Sequence, residues 1–224
     1  MIKYSVDVIE VFLLFGIFGY IHSYLASYRV KNFLIKKFGS LIAFYRLTYV
    51  LFSLISFGVI YKIAPHPELI VYDLPYPFDF IILIPEFLGL AGLLWTFKYF
   101  SSKEFLGINQ IFRWYHHQYR IDELDEKLTL RIEGPYKYCR HPVYFFSIVF
   151  LAFRPEMNLF YASFLACIIA YFYVGSFYEE IKMVAMFGQI YIDYQNQVPR
   201  IVPIYLYWNK IFNIVKNVKS KQIF

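Results

Sequence analysis

The sequence predicts an all-α integral membrane protein: a helical bundle of about five transmembrane helices with a long cytoplasmic segment and a C-terminal tail. Composition is the first reason, because 59% of the 224 residues are apolar and only 17% are charged, against about 45–50% and about 25% in soluble domains. The second reason is the length of the charge-free stretches. The third is the way basic residues alternate between the segments that join them.

Long uncharged stretches locate the helices. No Asp, Glu, Lys or Arg occurs in residues 11–28, 47–61 or 159–178, and residues 80–97 contain Glu86 alone. A membrane span needs about 20 mostly apolar residues, so each stretch qualifies once its flanks are included. A shorter apolar run after residue 142 is interpreted as one arm of a tight helical hairpin. The predicted spans lie near residues 6–28, 44–64, 78–99, 142–155 and 158–178.

Basic residues predict the orientation of these spans. Segments 29–46 and 98–140 and the chain after residue 178 together contain 19 of the 22 Lys and Arg residues. Cytoplasmic segments are rich in Lys and Arg, so these three segments are expected in the cytoplasm and the N-terminus outside. The net charge of +6 is then explained by attraction to anionic membrane lipid. It does not indicate a nucleic-acid partner, because no basic patch lies in a soluble domain.

The chain divides into a predicted N-terminal membrane region of three helices, residues 1–97, and a C-terminal functional region, residues 98–224. The first helix is not expected to be a cleaved signal, since Asp7 and Glu10 lie where an uncharged core should begin. A disulfide is not expected, because Cys167 lies inside a predicted span and Cys139 in a predicted cytoplasmic segment. A metal site is not expected either, since no CxxC or Cys/His ligand spacing occurs.

Two pairs of polar residues next to predicted spans are the candidate functional residues. Proline fixes its own backbone and suits the first position of a helix, so Arg140 and His141, before Pro142, should lie at the cytoplasmic mouth of the fourth span. Glu179 and Glu180 follow the fifth span, where adjacent carboxylates are costly unless solvated or paired. The two spans form a hairpin, so the pairs can meet and present both charge signs to a zwitterionic ligand. Both cations could instead be interfacial anchors.

A longer motif surrounds each pair. Residues 134–144, Gly-Pro-Tyr-Lys-Tyr-Cys-Arg-His-Pro-Val-Tyr, resemble the G-x-Y-x-x-x-R-H-P-x-Y signature of the isoprenylcysteine carboxyl methyltransferase superfamily. The later residues resemble its C-terminal motif: Glu179, Glu180, Phe187, Gly188, Tyr191, Tyr194, Val198, Pro199 and Pro203. Local features at residues 104–110, 155–157, 22–23 and 45–50 resemble the branch of this superfamily that methylates small thiols such as methanethiol.

The resemblance implies an S-adenosylmethionine-dependent methyltransferase acting on a small or lipophilic acceptor. Its implied catalytic residues are Arg140, His141, Tyr144 and Glu180. The implied cofactor-binding residues are Leu130, Gly134, Tyr136, His141, Pro142, Val143, Tyr144 and Glu179. The implied substrate-binding residues are Gln110 and Arg200. The expected location is a bacterial inner membrane.

Other functions stay open from the sequence. Isoprenylcysteine enzymes carry a substrate-binding Arg four residues before the first Glu of the pair, where this chain has Gly175. That departure disfavours a prenylcysteine carboxylate, although an isoprenylcysteine or lipid methyltransferase remains the main alternative. A membrane sterol reductase or a protein with a degenerate site is a further alternative. A soluble-type methyltransferase is excluded, since no G-x-G occurs among the ten glycines.

Overall fold

The computed structural model describes residues 2–121 and 129–203 of the chain. The mixed run of charged residues at 122–127 and the tail beyond residue 203 lie outside the described residues. The described part is helical apart from two short strands, Ile70–Asp73 (β1) and Glu156–Asn158 (β2), which pair with each other. The predicted all-α class is therefore confirmed.

The described residues form two compact units that interleave along the chain. Unit 1 contains residues 2–72, 101–121 and 157–167. Unit 2 contains residues 73–100, 129–156 and 168–203. The division into regions 1–97 and 98–224 is predicted on functional grounds, and it stays a prediction.

Unit 1 is built on two long apolar helices and the start of a third. Its elements are α1 (Ile2–Leu25), α2 (Tyr28–Phe38), a 3₁₀ helix (Gly39–Phe44), α3 (Tyr45–Ile63), α6 (Ser102–Phe105), α7 (Ile108–Tyr115) and the first turns of α9. Aromatic rings fill its core: the ring of Phe15 lies 5.9 Å from Phe57 and 5.2 Å from Phe164. Offset and edge-to-face rings of this kind pack well without polar partners.

Polar side chains join α1 to α3 near one end of both helices. The imidazole of His22 lies 2.8 Å from the Ser53 hydroxyl through Nδ1 and 2.7 Å from the Tyr49 hydroxyl through Nε2. Tyr45 donates to the carbonyl of Leu25. Hydrogen bonds between neighbouring spans stabilise their packing where lipid supplies no partners.

Unit 2 surrounds the hairpin of α8 and α9. Its elements are α4 (Phe78–Ile81), α5 (Leu83–Phe97), a 3₁₀ helix (Gly134–Lys137), α8 (Pro142–Ala152), the greater part of α9 (Leu159–Phe187) and α10 (Gln189–Gln195). Helices α5 and α8 pack closely because Gly89 and Gly92 leave room for them. A Cβ at Gly89 would come within 2.6 Å of the Phe150 nitrogen, and one at Gly92 within 2.1 Å of the Phe146 ring.

Four helical stretches of the described chain are long and apolar enough to cross a membrane: Ile2–Leu25, Tyr28–Ile63, Phe78–Phe97 and Leu159–Phe187. The predicted span at 142–155 is shorter in the structure. Helix α8 has 11 residues, or about 16 Å at 1.5 Å per residue, against a hydrocarbon core of about 30 Å. It ends at Ala152 because Pro155, three residues later, cannot continue a helix.

Segment 29–46 lies between two predicted spans, and the structure shows that it is helical: Ser27 caps α2 by accepting a hydrogen bond from the Val30 N–H. One predicted boundary needs correction. Helix α9 does not end at residue 178 but continues to Phe187, so Glu179 and Glu180 lie inside the helix and not after it.

Candidate active site

The candidate site forms where the start of α8 meets the second half of α9, within unit 2. His141 immediately precedes α8 with φ −120° and ψ 65°, outside the helical conformation, and Pro142 is the first residue of the helix. Tyr144 follows within the first turn. Glu179 and Glu180 are consecutive residues of α9, so their side chains point in directions about 100° apart. This difference gives the two carboxylates separate environments.

Glu180 is the buried centre of a charge cluster. Its carboxylate is 4% exposed and accepts two hydrogen bonds from Arg140, from Nε to Oε1 at 2.7 Å and from Nη2 to Oε2 at 3.1 Å. Gln195 donates to Oε2 at 2.9 Å, and the Arg200 guanidinium lies 3.2 Å from the same oxygen. A buried charge needs this density of partners. The arrangement favours a structural role for Glu180, and its implied catalytic role stays a prediction.

Arg140 links residues 195–200 to the helical hairpin of α8 and α9. Its Nη1 donates to the backbone carbonyls of Gln195, at 2.8 Å, and Val198. The backbone N–H groups of Arg140 and His141 donate to the carbonyls of Pro199 and Arg200, both at 2.9 Å. The side chain is 7% exposed. This geometry favours a positioning role for Arg140, and its catalytic role implied by the resemblance stays a prediction.

His141 lies between the two carboxylates. Its Nε2 is 3.1 Å from Oε1 of Glu180, and its Nδ1 is 3.3 Å from Oε2 of Glu179. Ionised carboxylates only accept hydrogen bonds, so both ring nitrogens must carry protons. Burial opposes this protonation, but the hydrogen bonds to Glu179 and Glu180 and their negative charge outweigh it and raise the pKa of His141 above 6.5. The geometry favours an imidazolium and leaves no nitrogen to act as a base.

This arrangement predicts that stability falls with rising pH. Because the pKa of His141 is raised on folding, its contribution is complete below the unfolded value of about 6.5 and is lost as the pH rises through the folded value. We expect the unfolding temperature in detergent to decline above pH 6.5, and His141→Gln to flatten that decline. Replacement of the exposed His116 by Gln is the matched control. A decline unchanged in the His141 variant would contradict this assignment.

Glu179 is the open member of the pair. Its side chain is 51% exposed, and its Oε1 accepts a hydrogen bond from the Tyr144 hydroxyl. The Tyr144 ring stacks on Phe172, with centroids 4.3 Å apart and planes at 3°, and on His141 at 5.3 Å and 11°. An accessible carboxylate beside stacked aromatic rings is a suitable environment for a cation, because both the charge and the ring faces attract it.

The other predicted cofactor contacts lie around this centre or support it. Leu130 packs against the buried cluster of Tyr191, Tyr194 and Val198. Gly134 has φ +58°, a conformation that favours glycine, and a Cβ there would lie 2.4 Å from the Tyr99 ring. These two residues therefore shape the segment before the site.

The remaining members of the set lie closer to α8. Burial raises the pKa of Tyr136, and its backbone carbonyl accepts a hydrogen bond from the Tyr194 hydroxyl at 2.6 Å. Pro142 is fully buried at the start of α8, and Val143 beside it is half-buried. Burial also raises the pKa of the neighbouring Cys139 thiol to about 12, so this thiol stays protonated near neutral pH.

The two predicted substrate residues have different surroundings. Arg200 contacts Glu180 and lies over the Phe177 ring, 3.6 Å from its centroid, with 27% of its side chain exposed. Gln110 belongs to unit 1, is fully buried and donates to the carbonyl of Glu104. Both assignments stay predictions, and the enclosure of Gln110 favours a structural role for it.

Sequence reasoning missed three residues of this centre. Phe172 supports Tyr144, and its spacing of seven residues from Glu179 places both on one face of α9, a signal that could have identified it. Phe177 lies under Arg200. Gln195 contacts Glu180 with its side chain and Arg140 with its backbone, and no local pattern in the sequence predicts that. Within the described ranges, no group of three His, Cys, Asp or Glu side chains is arranged to hold a metal ion.

Comparison with curated proteins shows which enzymes the chain is similar to. The chain is 28% identical over 200 residues to a methanethiol S-methyltransferase of Crocosphaera subtropica, across 85% of this chain and 72% of that protein. The chain is similar to methanethiol S-methyltransferases over most of its length. This similarity confirms the resemblance to the small-thiol branch that the features at residues 22–23, 45–50, 104–110 and 155–157 indicated, and it is consistent with the superfamily that the two motifs resemble.

Two further methanethiol S-methyltransferases are similar to the chain at the same level. The match to methanethiol S-methyltransferase 1 of Bradyrhizobium diazoefficiens is 28% identical and covers 85% of this chain and 65% of that protein. The match to the enzyme of a Pseudomonas species is 28% identical and covers 70% and 59%. The chain thus spans about three fifths to three quarters of these relatives. No family model matches it, and no solved structure does.

Proposed function

We propose that this chain is an integral membrane S-adenosylmethionine-dependent methyltransferase that S-methylates a small thiol such as methanethiol. The observation that carries the proposal is the similarity to methanethiol S-methyltransferases across 85% of the chain. The charge arrangement around Glu179 supports the choice of methyl donor.

S-Adenosylmethionine is a suitable ligand for the residues of this centre. The molecule carries an ammonium, a carboxylate and a sulfonium cation. The half-exposed Glu179 carboxylate would hold one of the cations, and the stacked rings of Tyr144 and Phe172 would lie beside it. The exposed part of Arg200 is a cation that remains accessible to a ligand carboxylate, since 27% of the side chain is open. Glu180, which is enclosed by four partners, would position the start of α8 against α9.

When bound, S-adenosylmethionine supplies an electrophilic methyl group: a thiolate forms the new carbon–sulfur bond in line while the bond to the sulfonium sulfur breaks. The chain contributes alignment, which by itself accelerates such a transfer. The Arg140–Glu180 pair fixes the start of α8 against α9, and Tyr144 holds Glu179 through its hydroxyl. The thiol loses its proton before transfer, because the thiolate is the nucleophile. His141 has a positioning role here, since both of its nitrogens are occupied by carboxylates.

A substrate panel tests the proposal. Purified protein in lipid nanodiscs should bind labelled S-adenosylmethionine and release a volatile thioether from methanethiol, with slower turnover of a prenylcysteine analogue and of a phospholipid headgroup amine. Faster turnover of the prenylcysteine analogue would contradict the small-thiol acceptor while keeping the methyltransferase. Absence of S-adenosylmethionine binding would contradict the enzyme class as a whole.

A further inference from the structure

A row of apolar side chains points outward from α7, a short helix in the segment that the sequence places in the cytoplasm. Ile108 is 46% exposed, Phe112 61% and Tyr115 75%. Their spacing of i, i+4 and i+7 sets them on one face of the helix. These three residues are called the α7 stripe below. The opposite face contains the fully buried Gln110, so the helix already packs on the protein through its other side.

Helix α7 is held at the end of a predicted membrane span. Gly107, just before it, has φ +87°, and a Cβ there would lie 2.6 Å from the backbone nitrogen of Leu47. Leu47 is the third residue of α3. Arg46 donates from Nε to the carbonyl of Phe105 at 2.8 Å. The start of α7 is therefore at the same depth as the first turn of α3, which is the predicted boundary between membrane and cytoplasm.

Cations are placed next to this boundary on α2. Arg29, Lys36 and Lys37 are exposed on one face of the helix, with Phe33, 61% exposed, among them. Helix α7 reaches the same region, since Trp114 donates to the Ser40 hydroxyl at 3.2 Å and its ring packs edge-on against Phe44. Cations beside exposed aromatic side chains are typical of surfaces that lie in the interface of an anionic bilayer.

We propose that α2 and α7 form a membrane-docking surface, with the α7 stripe immersed in the interface of an anionic lipid leaflet and the α2 cations on its phosphate groups. Two observations favour a lipid surface as the occupant. The stripe begins at the level where α3 leaves the membrane, and the neighbouring cations match anionic headgroups in charge. A second copy of the chain would need no such cations. This surface goes beyond methyl transfer and does not depend on it.

Nitroxide labels measure immersion directly. Full-length protein with Cys139 and Cys167 replaced by Ala would carry a single label at Phe112→Cys or Tyr115→Cys, in nanodiscs containing phosphatidylglycerol. We expect high accessibility to oxygen and low accessibility to a water-soluble nickel complex at both positions. The matched control is Lys103→Cys, an exposed position on α6, where the nickel complex should dominate. Equal accessibility at positions 103 and 112 would overturn the proposal, as would dipolar broadening between labels on two copies.

A second measurement keeps the native cysteines, since Cys139 is buried and Cys167 lies in a predicted span. A membrane-impermeant maleimide should modify Phe112→Cys at least tenfold more slowly than Lys103→Cys in vesicles containing phosphatidylglycerol. The difference should shrink when phosphatidylcholine replaces the anionic lipid, or in the Lys36→Gln, Lys37→Gln variant. Equal rates in the anionic vesicles would overturn the immersion of the stripe. An unchanged difference in phosphatidylcholine would overturn the role of charge.

Discussion

Glu179→Gln is expected to weaken S-adenosylmethionine binding by about 10- to 100-fold, with proportional loss of methyl transfer at low donor concentration. Gln keeps the shape and one acceptor oxygen, so the change removes mainly the negative charge. A hydrogen bond or contact to a charged group contributes about 1.5–3 kcal/mol, and 1.4 kcal/mol corresponds to a factor of ten in affinity. Equilibrium binding of labelled donor to protein in nanodiscs measures the change.

The same variant should stay folded. Glu179 is 51% exposed, so Gln at this position remains solvated and the unfolding temperature should change little. Glu156→Gln, an exposed carboxylate on β2, is the matched control for loss of one surface charge. Donor affinity equal to that of this control would remove Glu179 from the proposed site. The same experiment with Glu179→Ala asks whether any polar group suffices there.

Glu180→Gln is expected to destabilise the fold by about 3–5 kcal/mol, the usual cost of removing one partner from a buried ion pair. The substitution leaves Arg140 7% exposed without its counter-charge and removes the carboxylate that Arg200 and His141 contact. The free energy of unfolding of a natural domain is about 5–15 kcal/mol in total, so this residue would account for a large part of the stability. Chemical unfolding in detergent micelles, with Glu156→Gln as control, measures the loss.

A double-mutant cycle tests whether Arg140 and Glu180 stabilise the fold as a pair. Arg140→Gln combined with Glu180→Gln removes both charges, so the double variant should lose less stability than the sum of the losses of the two single variants. Glu180→Asp keeps the negative charge, so this variant should still fold even where Glu180→Gln does not. Additive losses would show that Arg140 and Glu180 do not act as a pair. Together the two neighbouring glutamates predict opposite outcomes: Glu179 affects ligand binding, and Glu180 affects stability.

The sequence by itself determined the structural class of this protein and the two polar pairs of its candidate site. Uncharged stretches and alternating basic residues depend only on how each residue partitions between water and lipid, so they predict membrane helices without knowledge of contacts. The position of Arg140-His141 next to Glu179-Glu180 also followed, because hairpin arms must bring their ends together. Both motifs were local enough to show the resemblance to the superfamily, and shorter local features indicated the branch to which the comparison found the chain similar.

The tertiary structure decided how the charges are paired. A helix wheel puts Glu179 and Glu180 in different directions, but only packing shows that one reaches Arg140 and Gln195 while the other stays open beside Tyr144. It also decided that α9 continues past both carboxylates to Phe187. The sequence could not predict this continuation, since the cost of charges near a helix end depends on distant partners. Two of those partners, Gln195 and Arg200, lie in residues 195–200. Backbone carbonyls of this stretch accept hydrogen bonds from Arg140 and His141, and carbonyl positions follow the fold rather than the side-chain pattern.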